Sequence, residues 1–232
     1  MADIVVAHGA WSAGWAWKKM RPLMAARGHV LWTPTYTGLG ERAHLAGPEV
    51  NLSTHITDVV QVLEMEDLAE VVLLGHSYGG MVATGVADRV PERLARLVYL
   101  DAFVPDDGQS LAMLTGQDPD AWRAAAEDGW RAPPRPMPPD TPKADLAWAM
   151  RRRMSQPIEC FLEPVRVTGA GARLSRHYIY ALKHDAQDSF GRFWRRAKME
   201  PLWTAHEIDA SHNPHITTPD ALAGLLDGII RG

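Results

Sequence analysis

The sequence is poor in cysteine and in long apolar runs, and each shortage excludes a class of protein. Cys160 is the only cysteine among 232 residues, so no disulfide can form within the chain. No window approaches the ~18 consecutive apolar residues that a membrane-spanning helix needs. The first residues, MADIVVAHGAW, lack the basic segment that opens a secretory signal. These absences predict a cytoplasmic protein with no membrane partner.

An excess of charge of one sign is also missing. The net charge is −4 and 22% of the residues are charged, so there is no electrostatic reason to expect a nucleic-acid partner. The histidines His206, His212 and His215 have no carboxylate or cysteine at the spacing of a tetrahedral metal site. We therefore expect neither a metal nor another cofactor.

Short apolar segments alternate with helical patterns, which predicts an α/β fold with a mostly parallel central sheet and helices on both faces. Strands are predicted near residues 4–7, 30–33, 71–74, 97–100, 177–181 and 204–208. Helices are predicted near 15–27, 53–66 and 77–90, and after Thr218, with Thr218 as the N-terminal cap and Pro219 in the first turn.

One region, residues 104–173, interrupts this alternation and shows no convincing strand. Its stretch 131–142, RAPPRPMPPDTP, contains six prolines, but the tryptophans and methionines on both sides are too apolar for a solvated linker. We therefore predict a single domain of 1–232, with a core at about 1–103 and 174–232 and a helical cap at about 104–173. The run Arg151-Arg152-Arg153 could hold an acidic substrate, but a solvated helix face is the favoured interpretation.

The segment Gly75-His76-Ser77-Tyr78-Gly79 fits the pattern G-x-S-x-G between an apolar strand and a helix. Such a turn is so tight that a β-carbon two residues before or after the serine would collide with neighbouring backbone. The serine is held in a strained conformation, with its hydroxyl above the sheet. Ser77 is therefore the predicted nucleophile, and a serine that only caps the helix is the alternative.

A serine hydroxyl needs a base, and the base needs an orienting carboxylate. In folds of this class the order along the chain is serine, acid, histidine. Asp101 follows one predicted strand and Asp185 follows another, so both are candidate acids. The segment DASHNPHI offers His212 and His215 as candidate bases. Spacing does not choose between the two histidines.

The tetrahedral intermediate of acyl transfer also needs two backbone N–H groups that hold its negative oxygen. The residue after the nucleophile, Tyr78, is the first predicted donor. The second is Ala10 in HGAW, where Gly9 allows close approach of the backbone. Trp11 follows directly and is a candidate pocket residue.

The segments HGAWSAGWAW, GHSYGG, YLDAFVP, KHDA and SHNPHITTPDAL resemble α/β-hydrolases of the plant methylesterase and hydroxynitrile lyase branch and their bacterial esterase relatives. The resemblance covers nearly the whole chain and implies an α/β-hydrolase fold. It implies that Ser77 is the nucleophile, that Asp185 rather than Asp101 is the acid, and that His212 rather than His215 is the base. It also matches the two predicted oxyanion donors.

Two positions depart from the lyases of this branch. A threonine stands there where this chain has Gly9, and a lysine follows the catalytic histidine where this chain has Asn213. That lysine stabilises departing cyanide, so the resemblance predicts an esterase that cleaves a small, largely apolar or aromatic carboxylic ester through an acyl-enzyme. A cyanohydrin lyase and a non-catalytic binding protein are the alternatives. The expected partner is a small-molecule ester, and a homodimer is a possible assembly.

Overall fold

A computed structural model of the chain describes residues 1–184 and 188–232. Its strands are β1 (Asp3–Ala7), β2 (Val30–Trp32), β3 (Val71–His76), β4 (Leu94–Leu100), β5 (Arg131–Ala132), β6 (Gln156–Pro157), β7 (Ser175–Ala181) and β8 (Trp203–Ile208). Six of them form one sheet in the order β2-β1-β3-β4-β7-β8, and every neighbouring pair in it is parallel. Each of the six predicted strands overlaps one strand of this sheet.

The described helices connect and cover these strands. They are α1 (Met20–Ala25), α2 (Leu52–Met65), α3 (Gly79–Arg89), α4 (Leu111–Thr115), α5 (Pro119–Ala124), α6 (Lys143–Met150), α7 (Glu159–Leu162), α8 (Gly191–Ala197), α9 (Pro214–Thr217) and α10 (Pro219–Arg231). The helix predicted near 15–27 is divided into a 3-10 turn, Gly14–Trp17, and α1. Thr218 stands at the N-cap position of α10 and Pro219 in its first turn, as predicted, but the Thr218 hydroxyl is buried and forms no capping hydrogen bond among the described residues. None of the described helices is long and apolar enough to cross a membrane.

Successive residues of β3 point to opposite faces of the sheet, and both faces are covered. Val71 and Leu73 pack in a cluster with residues of α2 and α3. Val72 and Leu74 pack in a second cluster with residues of α1 and α10. Burial on both sides explains why this strand reads as a continuous apolar run. The sheet thus provides a rigid base, whose strand ends carry the polar residues described below.

Residues between β4 and β7 form helices α4 to α7 and a small ribbon in which β5 and β6 are antiparallel. The expectation of no strand in this region is therefore wrong for these two short strands. The segment is fixed to the core at α2, where the Ser53 N–H and hydroxyl donate to the Glu163 carboxylate at 2.7 Å each. Phe161 of α7 is fully buried in the core cluster. The division into core and cap remains our interpretation.

Candidate active site

Ser77 directly follows β3 and stands two residues before α3, with a φ of 56°. This left-handed conformation is uncommon for a residue other than glycine and marks a strained turn. The flanking glycines are required by space. A β-carbon on Gly79 would lie 1.9 Å from the Ala7 carbonyl oxygen, and one on Gly75 would lie 2.8 Å from the Gly79 carbonyl oxygen. Local sequence therefore dictates the shape of the turn that presents the Ser77 hydroxyl.

His212, in the loop between β8 and α9, is the histidine that reaches this serine. Its Nε2 lies 3.0 Å from the Ser77 Oγ. The ring stacks on Phe190 with centroids 4.9 Å apart, and its backbone carbonyl accepts a 2.8 Å hydrogen bond from His76 Nε2. The competing candidate, His215, is 2% exposed and stacks on Trp17. Burial and the neighbouring histidines keep the pKa of His215 well below 6.5.

Asp101 lies on the other side of the His212 ring. It is the first residue after β4, has a φ of 42° and is completely buried. Its Oδ2 is 2.7 Å from His212 Nδ1, and its Oδ1 accepts a 3.3 Å hydrogen bond from the Ala181 N–H. Burial raises the pKa of Asp101 from 3.8 to about 7, against the opposing effects of His184 and of the Ala181 N–H.

The contact between Asp101 and His212 differs from the prediction of the orienting acid that the sequence suggested. The resemblance placed Asp185 above Asp101 as the orienting acid, and Asp185 lies outside the described residues. Its role stays a prediction. Another carboxylate, that of Asp188, accepts hydrogen bonds from the Phe190 and Gly191 N–H groups and from the Tyr180 hydroxyl. Asp188 thus stabilises the turn before α8.

The loop after β1 runs directly against the serine turn. A β-carbon on Gly9 would lie 2.9 Å from His76 Nδ1 and 3.3 Å from the Ser77 Cβ. Ala10 and Tyr78 line the same cavity as Ser77, and neither backbone N–H has a protein partner among the residues that the structure describes. The next N–H along, that of Trp11, donates instead to Gln156 Oε1 at 2.8 Å.

A buried polar cluster supports the two predicted oxyanion residues from behind. His8 Nδ1 lies 2.9 Å from the Gly9 carbonyl oxygen, and the Tyr36 hydroxyl donates to the His8 carbonyl. His55 Nδ1 lies 3.0 Å from the Tyr78 hydroxyl. Burial lowers the pKa of His8 and of His55 to about 3, so both are neutral at physiological pH. These interactions orient the loop and Tyr78 without adding a charge beside the serine.

The serine opens into a cavity of about 230 Å³. Most of its described lining is apolar or aromatic, from Trp11, Trp15, Phe103, Leu111, Trp122, Met137, Phe161 and Phe190. The structure thus places Trp11 in the cavity wall, where its ring nitrogen donates to the Ala132 carbonyl at 3.0 Å. Asn213, directly after His212, also lines the cavity. Within the described ranges, no group of three or more His, Cys, Asp and Glu side chains is arranged to hold a metal ion.

Two arginines in this wall were not predicted as site residues. Arg135 comes from the proline-rich segment, and Arg153 is the last member of the triple-arginine run. Arg151 and Arg152 are exposed, as predicted, but the run does not form a helix face because α6 ends at Met150, and Arg153 is half-buried against the cavity. In the sequence, Arg135 is a single cation among prolines. Whether it faces a cavity or solvent depends on how the segment folds, so its position could not be predicted.

The chain belongs to the alpha/beta hydrolase family, whose sequence pattern matches residues 4–225. It is 38% identical to the carbendazim hydrolyzing esterase of a Nocardioides species, over 97% of this chain and 98% of that protein. It is 28% identical to methylesterase 2 of Arabidopsis thaliana, over 51% of this chain and 48% of that one. Among solved structures, an extracellular α/β-hydrolase from a Paenibacillus species superposes with a TM-score of 0.83 at 23% identity, over 97% of this chain and 98% of that one.

These similarities confirm three predictions made from the sequence. The fold is that of the α/β-hydrolases, the relatives include bacterial esterases and plant methylesterases, and the activity class is ester hydrolysis. The Paenibacillus structure is too distant in sequence to add more than the fold. The residues that carry the reaction and the ester that is cleaved are a separate question.

Proposed function

We propose that the protein is a serine carboxylesterase in which Ser77 is the nucleophile, His212 the base and a buried carboxylate the group that orients the base. The observation that carries the proposal is the continuous series of contacts from Ser77 Oγ through the His212 ring to Asp101, with separations of 3.0 and 2.7 Å. Asp101 is the described residue that fits the third role. Asp185 is the alternative from the sequence.

The geometry supports a two-step mechanism. The carboxylate accepts the Nδ1–H of His212, so that Nε2 carries the lone pair that takes the proton of Ser77 as its oxygen attacks the ester carbonyl. The backbone N–H groups of Ala10 and Tyr78 would hold the oxyanion, and Tyr78 stands at the N-terminus of α3, where negative charge is favoured. Protonated His212 then gives its proton to the leaving alcohol. Water, activated by the same histidine, releases the acid and restores Ser77.

A small, largely apolar or aromatic ester suits the cavity. The volume of about 230 Å³ is below the range usual for drug-sized ligands, and the aromatic wall favours a flat group. Trp11 contributes to that wall and is the proposed pocket contact nearest to the oxyanion loop. Because the Nocardioides relative is named for carbendazim, this compound is a second candidate substrate to assay.

A lyase acting on cyanohydrins is disfavoured by two positions. Asn213 lines the cavity where the lyases of this branch carry a lysine, so the residue after His212 offers no positive charge to departing cyanide. Gly9 has no space for a threonine, since even a β-carbon would approach His76 Nδ1 to 2.9 Å. Ester hydrolysis is therefore the activity that the site supports best.

The test is release of nitrophenol from short-chain p-nitrophenyl esters by wild type and by Ser77→Ala, with mandelonitrile cleavage and carbendazim turnover measured beside it. We expect ester turnover that needs Ser77 and no release of cyanide. Equal turnover by the folded Ser77→Ala protein would rule out the proposed nucleophile. A cytoplasmic location and a homodimer remain predictions, which cell fractionation and light scattering measure.

A further inference from the structure

Two guanidinium groups, those of Arg135 and Arg153, line the cavity that contains Ser77. Arg135 Nη2 donates to Gln117 Oε1 at 2.9 Å, and Arg153 Nη1 donates to the Arg135 carbonyl oxygen at 2.8 Å. Both guanidinium carbons lie close to the Trp11 ring, at 5.9 and 5.8 Å from its centroid. The two cations thus lie against the same aromatic side chain.

Neither guanidinium forms an ion pair with a carboxylate of the described chain. An arginine offers five N–H donors, and the two protein hydrogen bonds use only one donor of each side chain. The described cavity lining contains no Asp or Glu. Asp101 is buried behind His212. Asp118 lines a neighbouring cavity that Arg135 also lines, but its carboxylate accepts the Asp120 N–H and forms no ion pair with Arg135.

Desolvation without a counter-charge is unfavourable for a cation. It lowers the pKa of Arg153 to about 10, which still leaves the guanidinium charged at neutral pH, and it lowers the pKa of Arg135 as well. The wall therefore carries one half-buried cation, Arg153, and one exposed cation, Arg135, and each has unused donors at the edge of a small aromatic cavity. A planar, bidentate anion such as a carboxylate matches those donors in charge and geometry.

We propose that the preferred substrates are esters of aromatic acids that carry a free carboxylate, which Arg135 and Arg153 bind while the ester carbonyl lies at Ser77. This substrate class rests on the proposed esterase function. The aromatic ring would contact the wall formed by Trp11 and Trp122, and Arg135 also stands 5.4 Å from the Trp122 ring centroid. The arginines would act on binding and selectivity and leave the chemical steps to Ser77 and His212.

The experiment compares two uncharged esters with one anionic ester. Methyl hydrogen terephthalate carries the carboxylate, methyl 4-carbamoylbenzoate replaces it with a neutral amide of the same shape, and p-nitrophenyl acetate reports basal turnover. We expect wild type to prefer the anionic ester over the amide by about 10-fold or more in kcat/KM, as expected for charge-assisted hydrogen bonds. Arg135→Gln and Arg153→Gln should each remove most of that preference by raising KM, and Arg153→Lys should keep part of it.

The matched control is Arg151→Gln, which removes an exposed arginine two residues away that does not line the cavity. It should leave the preference intact. A wild type without a preference, or Arg→Gln variants that lower turnover of all three esters equally, would overturn the proposal and assign both arginines to support of Trp11.

Binding separates failure of this inference from failure of the esterase proposal. Terephthalate and the neutral terephthalamide are titrated calorimetrically into Ser77→Ala, with and without Arg153→Gln. We expect tighter binding of terephthalate, weakened about 10-fold or more by the second substitution. Such binding supports carboxylate recognition even if no ester is hydrolysed, whereas equal affinity for the two compounds refutes it even if p-nitrophenyl acetate is a good substrate.

Discussion

Replacing Asp101 with asparagine is the substitution that tests the site most directly. The side chain is completely buried, and its Oδ2 lies 2.7 Å from His212 Nδ1. Asparagine has nearly the same shape, so the protein should fold. An amide N–H2 group facing Nδ1 would favour the tautomer in which the ring proton resides on Nε2. His212 would then present a donor to Ser77 and could not take its proton.

The expected loss follows from that wrong tautomer. An Asp→Asn change at the orienting acid of a serine-histidine-aspartate triad lowers kcat by about 10⁴-fold, which corresponds to about 5.5 kcal/mol of transition-state free energy at 1.36 kcal/mol per factor of ten. We therefore expect kcat of Asp101→Asn on p-nitrophenyl acetate to fall by roughly that factor. KM should change little, because Asp101 is outside the described cavity lining.

The matched variant is Asp185→Asn, since the resemblance assigns the same role to that residue. Both proteins are assayed for burst and steady-state release of nitrophenol, and circular dichroism melts verify folding. If Asp101 orients the base, Asp101→Asn should be the more damaged variant by orders of magnitude. Activity of Asp101→Asn within about 10-fold of wild type, with loss confined to Asp185→Asn, would refute our reasoning from the contact. Similar large losses in both variants would mean that the two carboxylates share the role.

Three other outcomes are expected. Because burial raises the pKa of Asp101 from 3.8 to about 7, the folded state binds its proton more tightly than the unfolded state, so the free energy of unfolding should fall as pH rises between these values. Urea titrations should show this slope, up to about 4 kcal/mol in all, flattened in Asp101→Asn. His212→Ala should lose at least ~10³-fold in kcat, whereas His215→Ala should lower Tm and keep kcat within ~10-fold; the reverse order would mean that the base was misassigned. Gly9→Thr should lower kcat ~10²-fold by displacing His76 and the oxyanion loop, and unchanged kinetics would contradict the close packing there.

The centre of the sheet was predictable because strands β1, β3 and β4 are largely buried. β3 has all six residues buried, so its sequence is an apolar run that ends at the turn containing Ser77. The failures are local. A strand of two residues such as β5 has no periodicity to detect, and the side chain of Thr218 faces a buried site rather than the free N–H groups of α10. Tertiary packing decided both cases.

The serine turn was predictable because its constraints are local, whereas the cavity wall was not. The spacing of Gly75 and Gly79 around Ser77 is visible in the sequence, and the short separations in the structure provide its physical reason. Arg153 follows two other arginines in the sequence. Of the three, it lines the cavity because of the path that the chain takes after α6. The neighbouring residues in the sequence therefore did not distinguish the solvated Arg151 and Arg152 from Arg153, which lines the cavity.

The orienting acid depends on side-chain direction at the ends of adjacent strands. β4 and β7 are neighbours in the sheet, and parallel strands bring their carboxyl ends to one edge. Asp101 follows β4 and Asp185 follows β7 in the sequence, so either residue satisfies the requirement for an acid between serine and histidine along the chain. At Asp101 the left-handed φ of 42° turns the chain where the strand ends, and the side chain points inward to His212. No glycine marks this turn in the sequence. Sequence order alone therefore left both carboxylates as candidates.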